Sequence, residues 1–172
     1  QIYNLRKGRF SLLRHQVAFK SKAILDIIVK NKAKEYVMIG DSGESDAYVY
    51  MGIKLLLDGK LSTLGYKKYL EYSGVEDNVS TFISKILENK TINSKIKGIF
   101  IRDIDNHKLE RDHVLTEPIF VFSNYLELVI MFMNIGLIQC SSLWQQIRIF
   151  HNQEQMSIYA IYEILKNFLV QK

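Results

Sequence analysis

The stretch from Tyr36 to Asp46 constrains the fold of this chain more than any other. Its first half, Tyr36 to Ile39, is apolar and partly β-branched, which is typical of a strand covered on both faces. Gly40 then permits a sharp turn or the close approach of another group. Asp41 follows at the carboxyl end of the predicted strand, where open parallel sheets bind their ligands. The pattern therefore predicts a buried strand that runs into a loop rich in carboxylates.

Strands alternate with helices along most of the chain. Apolar runs at Gly98–Ile104 and Ile119–Phe122 predict two further strands. Apolar periodicity and capping residues predict helices at about Lys20–Lys32, Ser45–Leu57, Ser62–Tyr72, Asn78–Glu88, Asn124–Asn134, Ser142–Phe150 and Gln155–Val170. This alternation predicts an α/β fold with a parallel sheet flanked by helices. The segment before the first helix is basic, and we expect Gln1–Arg9 to be irregular and Phe10–Leu13 to be a short strand.

Charge and composition narrow the choice of partners. The formal net charge of +5 is compatible with phosphates or with peripheral contact to an anionic membrane surface. The lysines are scattered and follow no nucleic-acid-binding motif, so we expect no nucleic acid partner. The longest apolar stretch, Leu126–Ile138, is too short to cross a bilayer, and the single cysteine, Cys140, suits a reducing compartment. We therefore expect a cytoplasmic protein, and we expect Cys140 to be buried.

Two carboxylates in the loop have the chemistry of a magnesium site. Asp41 and Asp46 supply hard oxygen ligands, and Mg²⁺ usually binds through one or two carboxylates together with phosphate and water. Lys20 or Lys22, near the start of the preceding helix, can bring an ammonium group towards the same loop. A metal and an ammonium group together neutralise the charge of a transferring phosphoryl group. Asp46 also has a simpler interpretation, as a residue that caps the following helix.

The same residues resemble a known signature. Ile39-Gly40-Asp41-Ser42-Gly43-Glu44, followed by Asp46 and Tyr50, resembles the Gly-Asp-Ser-Gly-Glu-x-Asp-x-x-x-Tyr element of the actin-patch-type phosphatidate phosphatase catalytic domain, a family of haloacid dehalogenase-like phosphatases. Weaker similarities run in the same order over residues 8 to 138, at Gly8 with Leu12-Leu13-Arg14, Lys20 with Ile24, Ile99 to Asp103, and Phe122 to Ile138.

The resemblance implies a fold, a cofactor and roles for residues. It implies a partial Rossmann-like, haloacid dehalogenase-like domain over residues 1–138 and a helical C-terminal extension over residues 139–172. It implies Mg²⁺ held by Asp41 and Asp46, and a phosphorylated small molecule or phospholipid as substrate. Lys20 would stabilise the phosphoryl group and the phospho-aspartate. Ser42 would support the metal ligands. Glu44 either supports them too or faces solvent, and Arg14 is either a phosphate ligand or part of a structural ion pair.

The chain departs from the family in one large respect. The family opens with Asp-x-Asp-x-Thr, whose first Asp is the nucleophile, and these residues do not occur here in that form. Asp103-Ile104-Asp105 lies after the metal motif and lacks the Thr. Since the first residue is Gln1 and not Met, we expect the nucleophile on an upstream segment or a separate chain. Two hypotheses follow: part of a Mg²⁺-dependent phosphatase, or a non-catalytic relative that binds a protein or membrane.

The last predicted helices carry several aromatic residues at helical spacings. Such stripes are most often buried, because one face of a helix packs on the core. We therefore expect the following side chains to be core residues: Trp144, Phe150, Tyr159, Tyr162 and Phe168.

Overall fold

Three strands and seven helices make up the part of the chain described by the computed structural model. That part comprises residues 2–31, 33–43, 45–87, 92–104, 118–153 and 156–170, with the side chains of residues 2–15 and 169–170 outside the description. In chain order the elements are α1 (Ile2–Asn31), β1 (Glu35–Asp41), α2 (Asp46–Leu57), α3 (Thr63–Tyr72), α4 (Asp77–Leu87), β2 (Lys95–Arg102), β3 (Phe120–Phe122), α5 (Tyr125–Asn134), α6 (Cys140–Gln153) and α7 (Ile158–Val170).

The predicted α/β class is confirmed. β1 and β2 pair in parallel, from Glu35 opposite Lys95 to Asp41 opposite Arg102, with an irregularity between Tyr36 and Val37. The strands predicted at Tyr36–Ile39, Gly98–Ile104 and Ile119–Phe122 coincide with β1, β2 and β3 to within a few residues. The finer assignment to the haloacid dehalogenase-like fold stays a prediction.

Two compact units divide the chain, Gln1–Ile119 and Phe120–Lys172. The first contains α1 to α4 with β1 and β2, and the second contains β3 with α5 to α7. The domain boundary implied by the family resemblance, at residue 138, lies within the second unit and stays a prediction.

The core of the first unit forms where the helices cover the paired strands. Its fully buried members come from all four helices and β2, namely Leu25 and Ile28 of α1, Met51 and Ile53 of α2, Tyr66 and Leu70 of α3, Ile83 of α4, and Ile99 and Ile101 of β2; Met38 of β1 is also buried. The helical spacing of the buried residues explains why these segments fold as helices, since an apolar stripe must pack against the sheet. The core therefore fixes α1 and α2, the two helices that flank the loop after β1.

The start and end of α2 lie where the sequence predicts them. Ser45 occupies the N-cap position, Asp58 the C-cap position, and Gly59 takes a positive φ of 71° that ends the helix. Two tyrosines then lock α2 to α3. The Tyr48 hydroxyl donates to the Tyr69 carbonyl at 2.9 Å, the Tyr69 hydroxyl donates to the Tyr48 carbonyl at 2.7 Å, and their rings stack at 4.3 Å between centroids.

The prediction for the N-terminal segment was wrong. Residues 2–31 form one continuous helix, where an irregular stretch and a short strand at Phe10–Leu13 were expected. Leu, Arg, Lys and Gln are good helix formers, and a single interior Gly such as Gly8 costs only about 1 kcal/mol relative to Ala. Extending a helix that is already packed needs no new nucleus, so the basic residues continue α1.

The second unit has its own core, which buries Leu126, Ile130, Leu143, Phe150 and Ile161. Phe150 is buried and Phe168 packs partly buried against this core, as predicted. The prediction was wrong for three other aromatic residues and for the cysteine, because Trp144, Tyr159, Tyr162 and Cys140 are exposed. Helical spacing shows which residues share one face of a helix, but it does not show which face packs against the core. In α6 and α7 the buried face is formed by other residues. No helix among the described residues is both long and apolar enough to cross a membrane.

The tyrosine pair predicts a specific stability effect. Tyr69→Phe removes the hydroxyl that donates to Tyr48 and should lower the free energy of unfolding by about 1 kcal/mol, the net worth of one such hydrogen bond. Tyr72→Phe is the matched control, because Tyr72 is 82% exposed, and should change the free energy by less than about 0.5 kcal/mol. Urea unfolding of both variants checks this, and equal effects would contradict the role of the pair.

Candidate functional site

The loop after β1 starts at the edge where both parallel strands end. Asp41 is the last residue of β1, and it lies opposite Arg102, the last residue of β2. The Ser42 N–H donates to the Arg102 carbonyl at 2.8 Å and so extends the pairing by one residue beyond the strand. The loop thus begins at the carboxyl edge, the position at which α/β sheets bind ligands.

Asp46 is the buried centre of this loop. The residue is only 5% exposed, although it carries a carboxylate. One carboxylate oxygen, Oδ1, accepts from the Lys20 ammonium of α1 in an ion pair, and the other, Oδ2, accepts the Asp41 N–H at 3.2 Å. Because an unpaired buried charge is costly, these two donors explain how Asp46 can be buried.

Gly40 makes room for that carboxylate. A Cβ added at Gly40 would lie 2.5 Å from Cβ and 2.7 Å from Cγ of Asp46, closer than real side chains approach. The glycine of the motif is therefore required by the close packing of Asp46 on the end of β1. The sequence indicated a close approach at Gly40 but not which group makes it.

Asp41 has a different environment from Asp46. It is partly buried, and its Oδ1 accepts the Gly43 N–H at 3.0 Å, a local bond that orients the carboxylate within the loop. The two acidic residues of the motif are thus linked through the Asp41 backbone, and Asp46 is in contact with the Lys20 ammonium. A partly exposed carboxylate is the better placed of the two to bind an incoming cation.

Ser42 connects the loop to the segment after β2. Its Oγ accepts the Ile104 N–H at 2.9 Å and lies 3.3 Å from Oδ1 of Asp103, to which the hydroxyl can donate. This hydroxyl ties the ends of both strands together, and the expected role of Ser42 in supporting the metal ligands stays a prediction. The hydroxyl also brings a third carboxylate, Asp103, to the same edge.

Other predicted site residues fall into three groups. Lys20 contacts the motif, whereas Lys22, the alternative, lies 3.4 Å from Asp26 on the same helix. Arg14 lies in α1 with its side chain outside the described part of the structure. Glu44 and Asp105 lie outside the described residues.

The capping interpretation of Asp46 does not hold. The N-cap position belongs to Ser45, whose side chain makes no capping bond, and Asp46 is the first residue of α2. Its carboxylate turns back towards β1 and α1 instead of towards the helix N–H groups. A negative charge in the first turn still interacts favourably with the helix dipole.

Sequence reasoning assigned no role to Tyr50, although it belongs to the motif. Its hydroxyl donates to the carbonyl of Ile39 at 3.0 Å, which fastens α2 to the end of β1. The only signal was its place in the family signature, four residues after Asp46. The hydrogen bond gives that spacing a reason, because residues 46 and 50 lie one turn apart on the same face of α2.

The donor set suits a magnesium ion held by few protein ligands. Among the described residues, no group of three or more His, Cys, Asp and Glu side chains is arranged to hold a metal. Mg²⁺ commonly uses one or two carboxylates and completes its shell with water and phosphate. Asp41 fits that ligand role. Asp46 fits a supporting role, because its two carboxylate oxygens already accept from the Lys20 ammonium and the Asp41 N–H.

The packing at Gly40 predicts a difference between two glycines of one loop. Gly40→Ala should lower the free energy of unfolding by about 1–3 kcal/mol, because the new methyl group overlaps the Asp46 side chain. Gly43→Ala is the control, since its nearest neighbour would be Oδ1 of Asp41 at 3.4 Å, and should cost less than about 0.5 kcal/mol. Chemical unfolding measures both, and a Gly40→Ala protein as stable as the control would refute the close contact.

Comparison with known proteins identifies no relative of this chain. No family model, curated protein or solved structure matches the chain. The similarity to actin-patch-type phosphatidate phosphatases therefore rests on the residues quoted above and stays a prediction.

Proposed function

We propose that this chain supplies the lysine and metal-binding part of a Mg²⁺-dependent phosphatase site, for a phosphorylated small molecule or a phospholipid such as phosphatidate. One observation carries the proposal. Lys20 and the buried Asp46 form an ion pair at the carboxyl end of β1, and Asp46 also accepts the N–H of Asp41. A cationic group of α1 and the partly exposed carboxylate of Asp41 thus lie on either side of Asp46 at one edge of the sheet, and transfer of a phosphoryl group requires both kinds of group.

Lys20 would stabilise the phosphoryl oxygens. Its side chain is 24% exposed, so the side chain is only partly buried while its ammonium contacts Asp46. An ammonium group has three donors, so one ammonium can donate to a carboxylate and to a phosphate oxygen at the same time. The ion pair with Asp46 holds the ammonium in place, and the fixed position is what makes such a charge effective in catalysis.

Asp41 would hold the metal. Its Oδ1 is oriented by the Gly43 N–H, and its backbone N–H is anchored to Asp46, so both the side chain and the main chain of this residue are constrained. When bound, Mg²⁺ neutralises negative charge on the phosphate. Ser42 keeps Asp103 at the same edge, which adds negative charge to the cation's surroundings.

The nucleophile in this proposal is an aspartate outside these 172 residues, because the sequence lacks Asp-x-Asp-x-Thr. Its carboxylate oxygen would form the bond to phosphorus as the ester P–O bond breaks and the leaving alcohol takes a proton. Water would then hydrolyse the aspartyl phosphate, which releases inorganic phosphate and restores the carboxylate. Lys20 would balance charge in both steps.

A second candidate function is a non-catalytic binding module for a protein or a membrane surface. The observation that favours it is the set of exposed apolar side chains in the second unit, of which Trp144, Ile158, Tyr159 and Tyr162 are the most exposed among the described residues. Exposed aromatic residues of this kind are enriched at binding surfaces. In this case the loop after β1 would serve only the stability of the fold.

Asp41→Asn separates the two functions. The amide keeps an oxygen that can accept from Gly43 but removes the charge, so Mg²⁺-dependent phosphate release from the native full-length protein should fall by at least about 10²-fold. The assay measures inorganic phosphate from phosphatidate in mixed micelles and from a small aryl phosphate, each across a range of Mg²⁺ concentrations.

Asp26→Asn is the matched control, because Asp26 is a surface carboxylate of α1 paired only with nearby Lys22 among the contacts described. This variant should release phosphate at the rate of the unmodified protein. Unchanged turnover in Asp41→Asn would rule out the metal role. Absence of any phosphate release, together with liposome or protein binding that Asp41→Asn leaves intact, would support the binding module instead.

A further inference from the structure

The second unit contains a cavity of about 290 Å³ between α5, α6 and α7. Most of its lining is apolar and comes from all three helices: Ile130, Met133, Leu143, Trp144, Leu165 and Phe168. The volume lies near the lower end of the range for small-molecule sites, which begins at about 300 Å³. Spaces between the helices of a bundle are also among the preferred places for such sites.

The cavity has an apolar floor and a weakly polar mouth. Ile130 and Leu143 are buried, whereas Asn134 and Cys140 are exposed side chains that line the same space. None of the described residues that line it carries a charge. Water gains few hydrogen bonds in such a space, so an apolar molecule can displace it at little cost.

We propose that this cavity binds a single aliphatic chain that ends in an uncharged polar group, such as a medium-chain alcohol or a monoacylglycerol. The chain occupies the apolar floor, and its polar end lies at the mouth, where the Asn134 amide can donate or accept a hydrogen bond. At roughly 30 Å³ for each water-sized group, the volume takes about ten such groups. An anionic or cationic end finds no opposite charge in the lining.

Trp144 gives a second reason to expect an occupant. The residue lines the cavity, yet 64% of it is exposed, which is unusual for the largest apolar side chain. A bound chain would cover part of the indole ring and remove apolar surface from water. Met133 faces the same space, and its flexible thioether side chain can adapt to chains of different shape. This proposal does not depend on the phosphatase proposal, because every lining residue belongs to the second unit.

Trp144 also reports on the site, because it is the single tryptophan of the sequence. Titration of the 172-residue chain with 1-decanol should shift the tryptophan emission to shorter wavelength with a saturating, one-site dependence. Decanoate at pH 8 should bind at least fivefold more weakly, because its charge has no partner, and 1-butanol should produce no saturating change. Calorimetric titration with 1-decanol provides a measurement that does not depend on the indole.

Two substitutions on neighbouring positions of α6 test where the chain binds. Cys140→Phe places a ring at the mouth and should weaken 1-decanol binding at least tenfold. Ser141→Phe adds the same ring at an exposed position that does not line the cavity and should leave the affinity within twofold. The proposal is overturned if the unmodified chain shows no saturable binding, or if both variants bind 1-decanol equally well. Equal affinity for decanoate would overturn the assignment of an uncharged end.

Discussion

The buried carboxylate of Asp46 is the constraint on which the first unit depends. A charge that is removed from water must be paired, because its desolvation costs several kcal/mol even in real proteins. Here α1 supplies the Lys20 ammonium and β1 supplies the Asp41 N–H, while Asp46 itself begins α2. Three elements that are separate in sequence therefore converge on one side chain, and Gly40 is required for the space that this side chain occupies.

This arrangement gives the two motif aspartates different tasks. Asp46 has both oxygens engaged by donors and positions its neighbours, whereas Asp41 is partly exposed and presents an oriented carboxylate at the edge of the sheet. The proposed phosphatase site follows from this difference, because Asp41 would bind the metal and Lys20 would bind the phosphate. The apolar cavity of the second unit has different chemistry, because none of the described residues that line it is charged.

Local patterns predicted much of the fold and part of the site. The apolar run before Gly40 and the capping residues around α2 predicted β1 and α2, because these signals depend on neighbours in sequence. The roles of Asp41 and Asp46 could not be separated in this way, since they differ only through contacts with Lys20 and with the backbone of β1. The exposure of Trp144 and Tyr159 was missed for the same reason. Their spacing indicated a shared helix face, but which face is buried depends on contacts with other helices. In the N-terminal segment, the continuity of α1 outweighed the local signals for a turn and a strand.

The most direct test of this account is a double-mutant cycle on Lys20→Met and Asp46→Asn, with the free energy of unfolding measured for the single variants and the double variant. If the ion pair holds α1, β1 and α2 together, the double variant will lose less stability than the sum of the losses in the two single variants. The difference, which is the coupling energy, should be at least about 1 kcal/mol. Effects that add to within about 0.3 kcal/mol would contradict the account, because residues without an energetic contact behave in that way.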